Sequence, residues 1–194
     1  MTLLNTLIKN LLHHTSGLRD IHSILTLAGW RNDDPRSNDD LFEIMKKQKE
    51  LNFKPGDEYM YSNTNYIFMA KIVEVVSGRK FEEWMKENVF IPLGLTNTYI
   101  ENDATKVVKG NATSYKQKED KRFNRAVEYW NYTGSGNVHT IAKDLLLWLN
   151  NYSNPSRGWE KAFELLQTTE KLNNGAYFKY AYGIEIDSIN GIRR

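Results

Sequence analysis

Apolar residues recur at intervals of three and four along most of the chain, the spacing that brings side chains to one face of an α-helix. This pattern predicts six helices, separated by loops rich in Gly, Pro, Asn and Asp. Capping residues precede three of them: Thr6 the first, Ser37 or Asn38 the second, and Thr140 the fifth. The apolar faces of four of these helices are as follows: the first carries Leu7, Ile8, Leu11 and Leu12, and the second carries Leu41, Ile44 and Met45. The fifth carries Ile141, Leu145, Trp148 and Leu149, and the sixth carries Trp159, Ala162, Phe163 and Leu166.

The third predicted helix, residues 64–77, is apolar on nearly every side. Only a narrow stripe through Lys71 and Glu74 is polar, which is typical of a helix buried inside a protein. Gly78 follows it directly, as a C-capping glycine does. The fourth predicted helix, residues 81–89, is amphipathic instead, with an apolar face made of Phe81, Trp84, Met85 and Val89.

Strand-like alternation is confined to residues 180–189, where Tyr182, Ile184 and Ile186 share one face. The polar residues 102–125 predict a long loop. The pattern as a whole therefore indicates a mostly helical chain with little strand.

Composition narrows the classes of function. The 194 residues carry 26 Lys and Arg against 24 Asp and Glu, a net charge of +2. Such a balance argues against binding to nucleic acid or a membrane surface, which needs clustered basic charge. There is no cysteine, which excludes thiolate metal sites and cysteine nucleophiles. No stretch approaches the ~20 apolar residues of a membrane span, and residues 1–12 lack the pattern of a signal peptide.

An ordered series of short motifs runs through the chain. In chain order it reads Asn10-Leu11-Leu12-His13-His14-Thr15-Ser16-Gly17-Leu18, Phe53-Lys54-Pro55-Gly56, Tyr61-Ser62-Asn63 with Tyr66, Ser77-Gly78, Pro92-Leu93-Gly94-Leu95 with Thr98, the helix at 140–149, and Tyr182-Gly183. Each motif alone is common, but the ordered set resembles the serine β-lactamase, penicillin-binding-protein and esterase family, from about Thr6 to the last residue.

The resemblance implies an α/β fold of the β-lactamase/transpeptidase type. Residues 1–194 would form a partial domain, cut at both ends, with most helices and few strands of the antiparallel sheet. Helices that cover the sheet would then expose apolar faces. The chain itself does not define a localisation; the resemblance suggests an exported bacterial protein, periplasmic or extracellular, whose export signal would be encoded before Met1.

The family's chemistry uses three motifs. A Ser-x-x-Lys supplies the nucleophile and a cation, a Tyr-x-Asn supplies a base and an orienting amide, and a Lys-or-His-x-Gly strand lines the site. By match, Tyr61 is the general base and Asn63 orients the lysine or substrate, while Ser62 points away. A free phenol is only about 0.1% ionised at pH 7, so the base needs a neighbouring cation. The alternative is that Ser62 or Asn63 only caps the helix.

The nucleophile motif is absent. The only Ser-x-x-Lys is Ser77-Gly78-Arg79-Lys80, which follows Tyr61 and spans a helix-ending glycine, so we interpret it as a cap and a surface turn. His14-Thr15-Ser16-Gly17 superficially resembles the third motif but comes too early, and a turn is the better interpretation. Likewise, Gly134-Ser135-Gly136 is interpreted as a turn, although relatives place a Gly-rich loop near the active-site rim here.

Two hypotheses on function follow. In the first, the chain belongs to a metal-independent serine acyl hydrolase that acts on a β-lactam, a D-Ala peptide or a small ester through an acyl-serine, without a cofactor. In the second, the chain is a non-catalytic fragment or binding remnant of that family. The partner would be a small molecule or peptide. No metal site is expected, since the histidines lack ligand spacing and suit packing or surface positions: His13, His14, His22 and His139.

Overall fold

The computed structural model describes residues 6–31, 33–126 and 129–193. Residues 1–5, 32, 127, 128 and 194 lie outside this description. Seven α-helices occur in the described part. They are α1 (Ile8–Leu12), α2 (Ile21–Leu27), α3 (Asn38–Lys46), α4 (Asn63–Ser77), α5 (Phe81–Met85), α6 (Ala142–Asn150) and α7 (Glu160–Leu166).

Short strand pairs accompany the helices, so the described residues form the mixed α/β fold that was expected. The first pair is parallel, with Arg36 opposite Trp130 and Ser37 opposite Asn131, and the others are antiparallel. The pairs are β1 (Arg36–Ser37) with β5 (Trp130–Asn131), β2 (Tyr99–Ile100) with β6 (Val138–His139), β3 (Tyr115–Gln117) with β4 (Phe123–Arg125), and β7 (Ser188–Ile189) with β8 (Ile192–Arg193).

Two apolar cores hold these elements together. The first lies among α1, α2, α3 and the N-terminal half of α4, the half that follows the Tyr61-Ser62-Asn63 motif. The second lies around the segment after α5 and the inner face of α7. Their buried residues are Leu11, Leu18, Ile21, Leu25, Leu41, Met45, Ile67 and Tyr132 in the first, and Val89, Phe90, Leu93, Leu95, Ile100 and Phe163 in the second.

Helix α2 is an element that the sequence pattern did not predict. Its apolar residues Ile21 and Leu25 are fully buried, at the i, i+4 spacing of one helix face. The Asp20 carboxylate caps it by accepting from the backbone N–H groups of His22 and Ser23. Because the helix has only seven residues, its periodicity is short and is easily overlooked between polar neighbours.

Helix α4 corrects the prediction of a helix buried on nearly every side. Its fifteen residues span about 22 Å. In its first half Ile67 is buried in the first core and Ala70 is also buried, whereas Val75 and Val76 near its end are 72% and 82% exposed. The prediction is therefore right for the half that follows the Tyr-Ser-Asn motif and wrong for the other. As predicted, Gly78 ends the helix, with φ of +69°.

Helix α6 presents a different face to the interior than its apolar pattern predicts. Thr140 does not cap it, because the helix begins at Ala142 with Ile141 in the N-cap position. Leu145 and Leu149 are exposed, whereas Asp144 is buried and Trp148, one turn further, packs on the second core. The hydrogen bonds of Asp144 explain this rotation.

Asp144 is a buried carboxylate that holds the loop before β2. Its Oδ2 accepts from the backbone N–H of Asn97 at 2.7 Å and from the Thr98 hydroxyl at 2.9 Å. Bringing Asp144 inward satisfies these donors and turns the leucines on the neighbouring faces outward. The Thr140 hydroxyl pairs with that of Thr98 at 2.8 Å instead of capping the helix.

We expect Asp144→Ala to destabilise the chain by about 2–3 kcal/mol, because two donors lose a charged acceptor in the interior. Asp39→Ala, at an exposed position in the first turn of α3, is the control and should cost less than about 1 kcal/mol. Urea unfolding followed by tryptophan fluorescence measures both. Equal losses from the two variants would contradict a structural role for the buried carboxylate.

Two other element boundaries differ from the prediction. Helix α1 begins at Ile8 with Leu7, not Thr6, as the N-cap residue, and Leu7 and Ile8 are exposed. The fourth helix is α-helical only to Met85 and continues as a single π-helical turn, Lys86–Phe90.

The continuous strand predicted at 180–189 is not formed. Tyr180 and Glu185 pair in an isolated antiparallel bridge around a turn in which Gly183 has φ of +89°. Regular pairing begins only at Ser188. The alternation of large residues here therefore reflects packing on both sides of a turn.

Candidate active site

The Tyr61-Ser62-Asn63 motif forms the entrance to α4. Ser62 is the N-cap residue by its extended backbone, but its hydroxyl makes no capping hydrogen bond and is buried without a partner among the described residues. Tyr61 is 51% exposed, so neighbouring side chains of the motif lie in opposite environments. Capping through the Ser62 or Asn63 side chain, the alternative interpretation of the motif, is not what the structure shows.

His14 fixes the backbone on both sides of Tyr61. Its carbonyl oxygen accepts from the Met60 N–H at 3.0 Å, and its Nδ1 accepts from the Ser62 N–H at 3.2 Å. The imidazole also lies against the Tyr61 ring, with centroids 4.2 Å apart and planes tilted by 38°. The tyrosine is thus held from its backbone and from one ring face, while the hydroxyl makes no hydrogen bond within the described residues.

The hydrogen bonds of His14 define its protonation state. Its Nδ1 receives the Ser62 N–H and also lies 3.0 Å from the Asn65 Nδ2, whose own Oδ1 accepts from the Ser16 hydroxyl at 2.6 Å. A nitrogen that accepts from donors carries no proton, so the imidazole is neutral. Burial lowers the pKa of His14 to about 4, in agreement with this geometry.

The buried neutral His14 makes stability depend on pH. Below the ordinary pKa of 6.5 the unfolded state takes up a proton that the folded state, with a pKa of about 4, does not. The contribution of His14 to stability is therefore expected to fall by up to about 3 kcal/mol as the pH drops from about 6.5 to about 4, and to change no further below that pH. Burial lowers the pKa of His13 as well, which adds in the same direction.

The variant His14→Gln isolates this contribution. Chemical unfolding at pH 7.5 and pH 4.5 should give a smaller difference for His14→Gln than for the parent chain, because the glutamine does not titrate. An unchanged pH difference in the variant would show that His14 is not the responsible group.

Asn63 is held by a second residue from before α4. The Asp20 Oδ1 accepts from the Asn63 backbone N–H at 2.7 Å and from its side-chain Nδ2 at 2.8 Å. The other carboxylate oxygen, Oδ2, caps α2. One carboxylate thus joins the starts of two helices and touches the Asn63 amide.

Other aromatic residues surround Tyr61 and are less exposed than it is. The Tyr66 hydroxyl donates to the Leu12 carbonyl at 2.9 Å, and burial raises its pKa far above the ordinary range, so it remains a neutral donor. Burial also raises the pKa of Tyr180, whose ring lies 4.6 Å from that of His14. Tyr59 stacks on Phe178 at 5.5 Å. These residues pack around the motif and are poor candidates for a base.

The Gly134-Ser135-Gly136 segment lies against α4 one turn after the motif. A Cβ on Gly134 would lie 2.9 Å from the Ile67 Cα and closer still to the Tyr66 carbonyl oxygen, so only glycine permits this approach. The segment is a turn, as predicted, and Asn137 closes it by donating to the carbonyls of Trp130 and Tyr132 at 2.7 and 2.9 Å.

The two sequences that superficially match other family motifs are structural. Ser77 ends α4, and its hydroxyl accepts from the Arg79 N–H at 3.3 Å. Lys80 is exposed. His14-Thr15-Ser16-Gly17 forms a buried turn after α1, in which His14 and Gly17 have φ of +56° and +74°. Both interpretations as turns are thus confirmed.

Asp20 and His14 are the site residues that sequence reasoning missed. Asp20 carries a recognisable signal, because it stands where a capping residue precedes Ile21, Ile24 and Leu25 at helical spacing. For His14 the only signal was its place in the ordered motif series. No described set of three His, Asp or Glu residues could hold a metal ion, and no described helix is both long and apolar enough to cross a membrane.

The chain resembles known proteins in sequence and fold. A family model described as Beta-lactamase matches residues 5–192. The chain is 28% identical to penicillin-binding protein 4* of Bacillus subtilis (strain 168), over 91% of this chain and 42% of that protein. It is 21% identical to the D-aminopeptidase of Brucella canis, over 96% of this chain and 36% of that protein.

A penicillin binding protein from Bacillus halodurans has the same fold, with a TM-score of 0.77 and 22% identity, over 98% of this chain and 59% of that chain. The fold is therefore the α/β fold of the β-lactamase and transpeptidase class. The chain belongs to the Beta-lactamase family. It spans less than half the length of the curated relatives it matches.

Proposed function

We propose that this chain supplies the base-bearing half of the active site of a metal-independent serine acyl hydrolase. Tyr61 acts as the general base and Asn63 orients the partner groups. The observation that carries the proposal is the exposed Tyr61 side chain two residues before Asn63, on a backbone that hydrogen bonds to His14 and Asp20 hold in place. Fixed geometry of this kind is what positioned acid–base catalysis requires.

In the proposed reaction a serine outside these residues attacks the carbonyl of an amide or ester. Tyr61 takes the proton from the serine hydroxyl as the new C–O bond forms, and returns it to the leaving amine or alcohol when the acyl bond breaks. Water then attacks the acyl-serine. Tyr61 takes a proton from the water and returns it to the serine oxygen as the acid is released. A nearby ammonium, which a Ser-x-x-Lys supplies, favours the phenolate and makes Tyr61 an effective base.

The substrate class is an acyl compound of small size. The relatives are a penicillin-binding protein and a D-aminopeptidase, whose names indicate a β-lactam and a peptide with a D-residue. We therefore favour an amide substrate over an ester. One fold serves several such reactions, so the substrate is assigned only at this level.

The second candidate is a non-catalytic remnant of the family that binds such compounds. One sequence observation favours it: the only Ser-x-x-Lys in the 194 residues is the surface turn at Ser77. Under this hypothesis the Tyr61 site has no nucleophile to activate in any form of the protein.

Labelling with a fluorescent penicillin and a fluorophosphonate tests the two candidates. The 194-residue chain should remain unlabelled. A longer form that adds flanking coding sequence with a Ser-x-x-Lys segment, here termed the extended chain, should be labelled by at least one probe. An unlabelled extended chain would support the non-catalytic remnant, and a labelled 194-residue chain would contradict the proposed division of the site.

A further inference from the structure

Asp20, the N-cap residue of α2, contacts the Tyr-Ser-Asn motif directly. It lies 43 residues before Asn63, yet one of its oxygens accepts from both the backbone N–H and the side-chain amide of Asn63, at 2.7 and 2.8 Å. Its second oxygen accepts from His22 and Ser23 at 3.1 and 3.2 Å. The carboxylate is therefore fixed by four N–H donors and has little freedom to rotate.

This arrangement determines which way the Asn63 amide faces. An ionised carboxylate only accepts hydrogen bonds, so the amide nitrogen of Asn63 must face Asp20 and its carbonyl oxygen must face away. A rotation of the amide by 180° would bring two oxygens together without a proton between them. Among the described residues the Asn63 Oδ1 makes no hydrogen bond, so this acceptor is available to another group.

We propose that Asp20 is a positioning residue that locks the Asn63 amide with its carbonyl oxygen toward the active site. The oxygen then offers a fixed acceptor for an ammonium group, the cation that Tyr61 needs in its proposed role. This inference rests on the proposed function. It assigns to Asp20 a task beyond capping α2, because its two oxygens serve the helix cap and Asn63 separately.

The substitution Asp20→Ser separates these two tasks. Serine is a good capping residue, so α2 retains its cap, but its shorter side chain no longer reaches Asn63. The matched control is Asp57→Ser, since the Asp57 Oδ1 accepts from the side-chain Nδ2 of Asn173 at 2.7 Å, outside the site. Each variant removes the carboxylate that accepts a hydrogen bond from an asparagine side-chain amide.

The readout is the hydrogen exchange of the asparagine side-chain amides in the 194-residue chain labelled with ¹⁵N-asparagine. In Asp20→Ser the Asn63 amide should exchange about tenfold faster, because it loses one charge-assisted hydrogen bond. The exchange of the Asn65 amide should not change. In Asp57→Ser only the Asn173 amide should accelerate. Unchanged exchange at Asn63 in Asp20→Ser would overturn the proposal.

Asp20→Asn provides a second variant if the serine variant does not fold. It preserves the volume and the cap, but it lets both amides rotate, so Asn63 exchange should rise by a smaller factor of about three. Exchange of the Asn63 amide at the rate of the parent chain would again contradict the proposal that Asp20 fixes this amide.

In the extended chain, Asp20→Ser should lower the maximal acylation rate by about tenfold with little change in the concentration for half-maximal rate. A changed half-maximal concentration with an unchanged maximal rate would contradict a positioning role. If the parent extended chain is not acylated at all, the proposed function fails, and the exchange of the Asn63 amide still decides whether Asp20 holds it.

Discussion

Replacing Tyr61 with phenylalanine is expected to lower the acylation rate of the extended chain by roughly 10²–10⁴-fold. The change removes a single hydroxyl, and a positioned general base contributes a factor of this size. The ring remains to pack on His14, at a centroid distance of 4.2 Å, so the fold should be unaffected. Stopped-flow measurement of acylation by a labelled penicillin gives the rate directly.

Tyr59→Phe is the matched control for this experiment. It removes the same hydroxyl two residues earlier, from a ring that stacks on Phe178, and should change the acylation rate less than about threefold. A Tyr61→Phe variant that is acylated at the parent rate would remove Tyr61 from the mechanism.

Gly134→Ala is expected to have the largest effect on stability, a loss of about 3–5 kcal/mol. Its φ of +112° strains any residue with a Cβ, and the added atom would lie 2.9 Å from the Ile67 Cα, in the backbone of α4. The nearest atoms it would meet are backbone atoms of Tyr66 and Ile67, which cannot move aside as the end of a flexible side chain could. The variant should also displace the start of α4 and impair the site.

Gly136→Ala, two residues later, is the control. An added Cβ there meets nothing within 4 Å, and Gly136 is not among the glycines with positive φ. The free energy of unfolding should change by less than about 1 kcal/mol. An increase is expected rather than a decrease, because alanine reduces the conformational entropy of the unfolded chain. Urea unfolding of both variants makes the comparison, and equal effects would show that Gly134 has no special packing role.

The Tyr61-Ser62-Asn63 motif could be recognised in the sequence because its signal is local. Tyr61-Ser62-Asn63 follows the turn at Pro55-Gly56 and precedes a helix whose first half is apolar and buried, as the sequence indicates. The family could be identified from the order of several such motifs. None of these inferences needed a contact between residues far apart in the chain.

The supporting residues were not predictable in the same way. Asp20 and His14 reach the motif across 43 and 48 residues, and the backbone of His14 adopts a positive φ that no local pattern indicates. A capping residue and a histidine in a turn have many possible partners, and only the packing of α1 and α2 on α4 selects among them.

Errors in the predicted fold also arise from interactions at a distance. The apolar pattern of α6 predicts inward leucines, but buried Asp144 hydrogen bonds to Asn97 and Thr98 and sets the orientation of the helix. At residues 180–189 the alternation resembles a strand, while the turn at Gly183 interrupts it. Side-chain periodicity reports which faces are apolar, not which face a polar contact selects.

Mapping the acylated residue by tandem mass spectrometry tests the central claim most directly. The claim is that residues 1–194 carry the base and its supports, while the nucleophile lies elsewhere. After reaction of the extended chain with a penicillin, we expect the acyl group on the serine of a Ser-x-x-Lys segment outside these residues, with Tyr61→Phe slowing its formation. An adduct on Ser77, Ser62 or any other residue within 1–194 would contradict the claim.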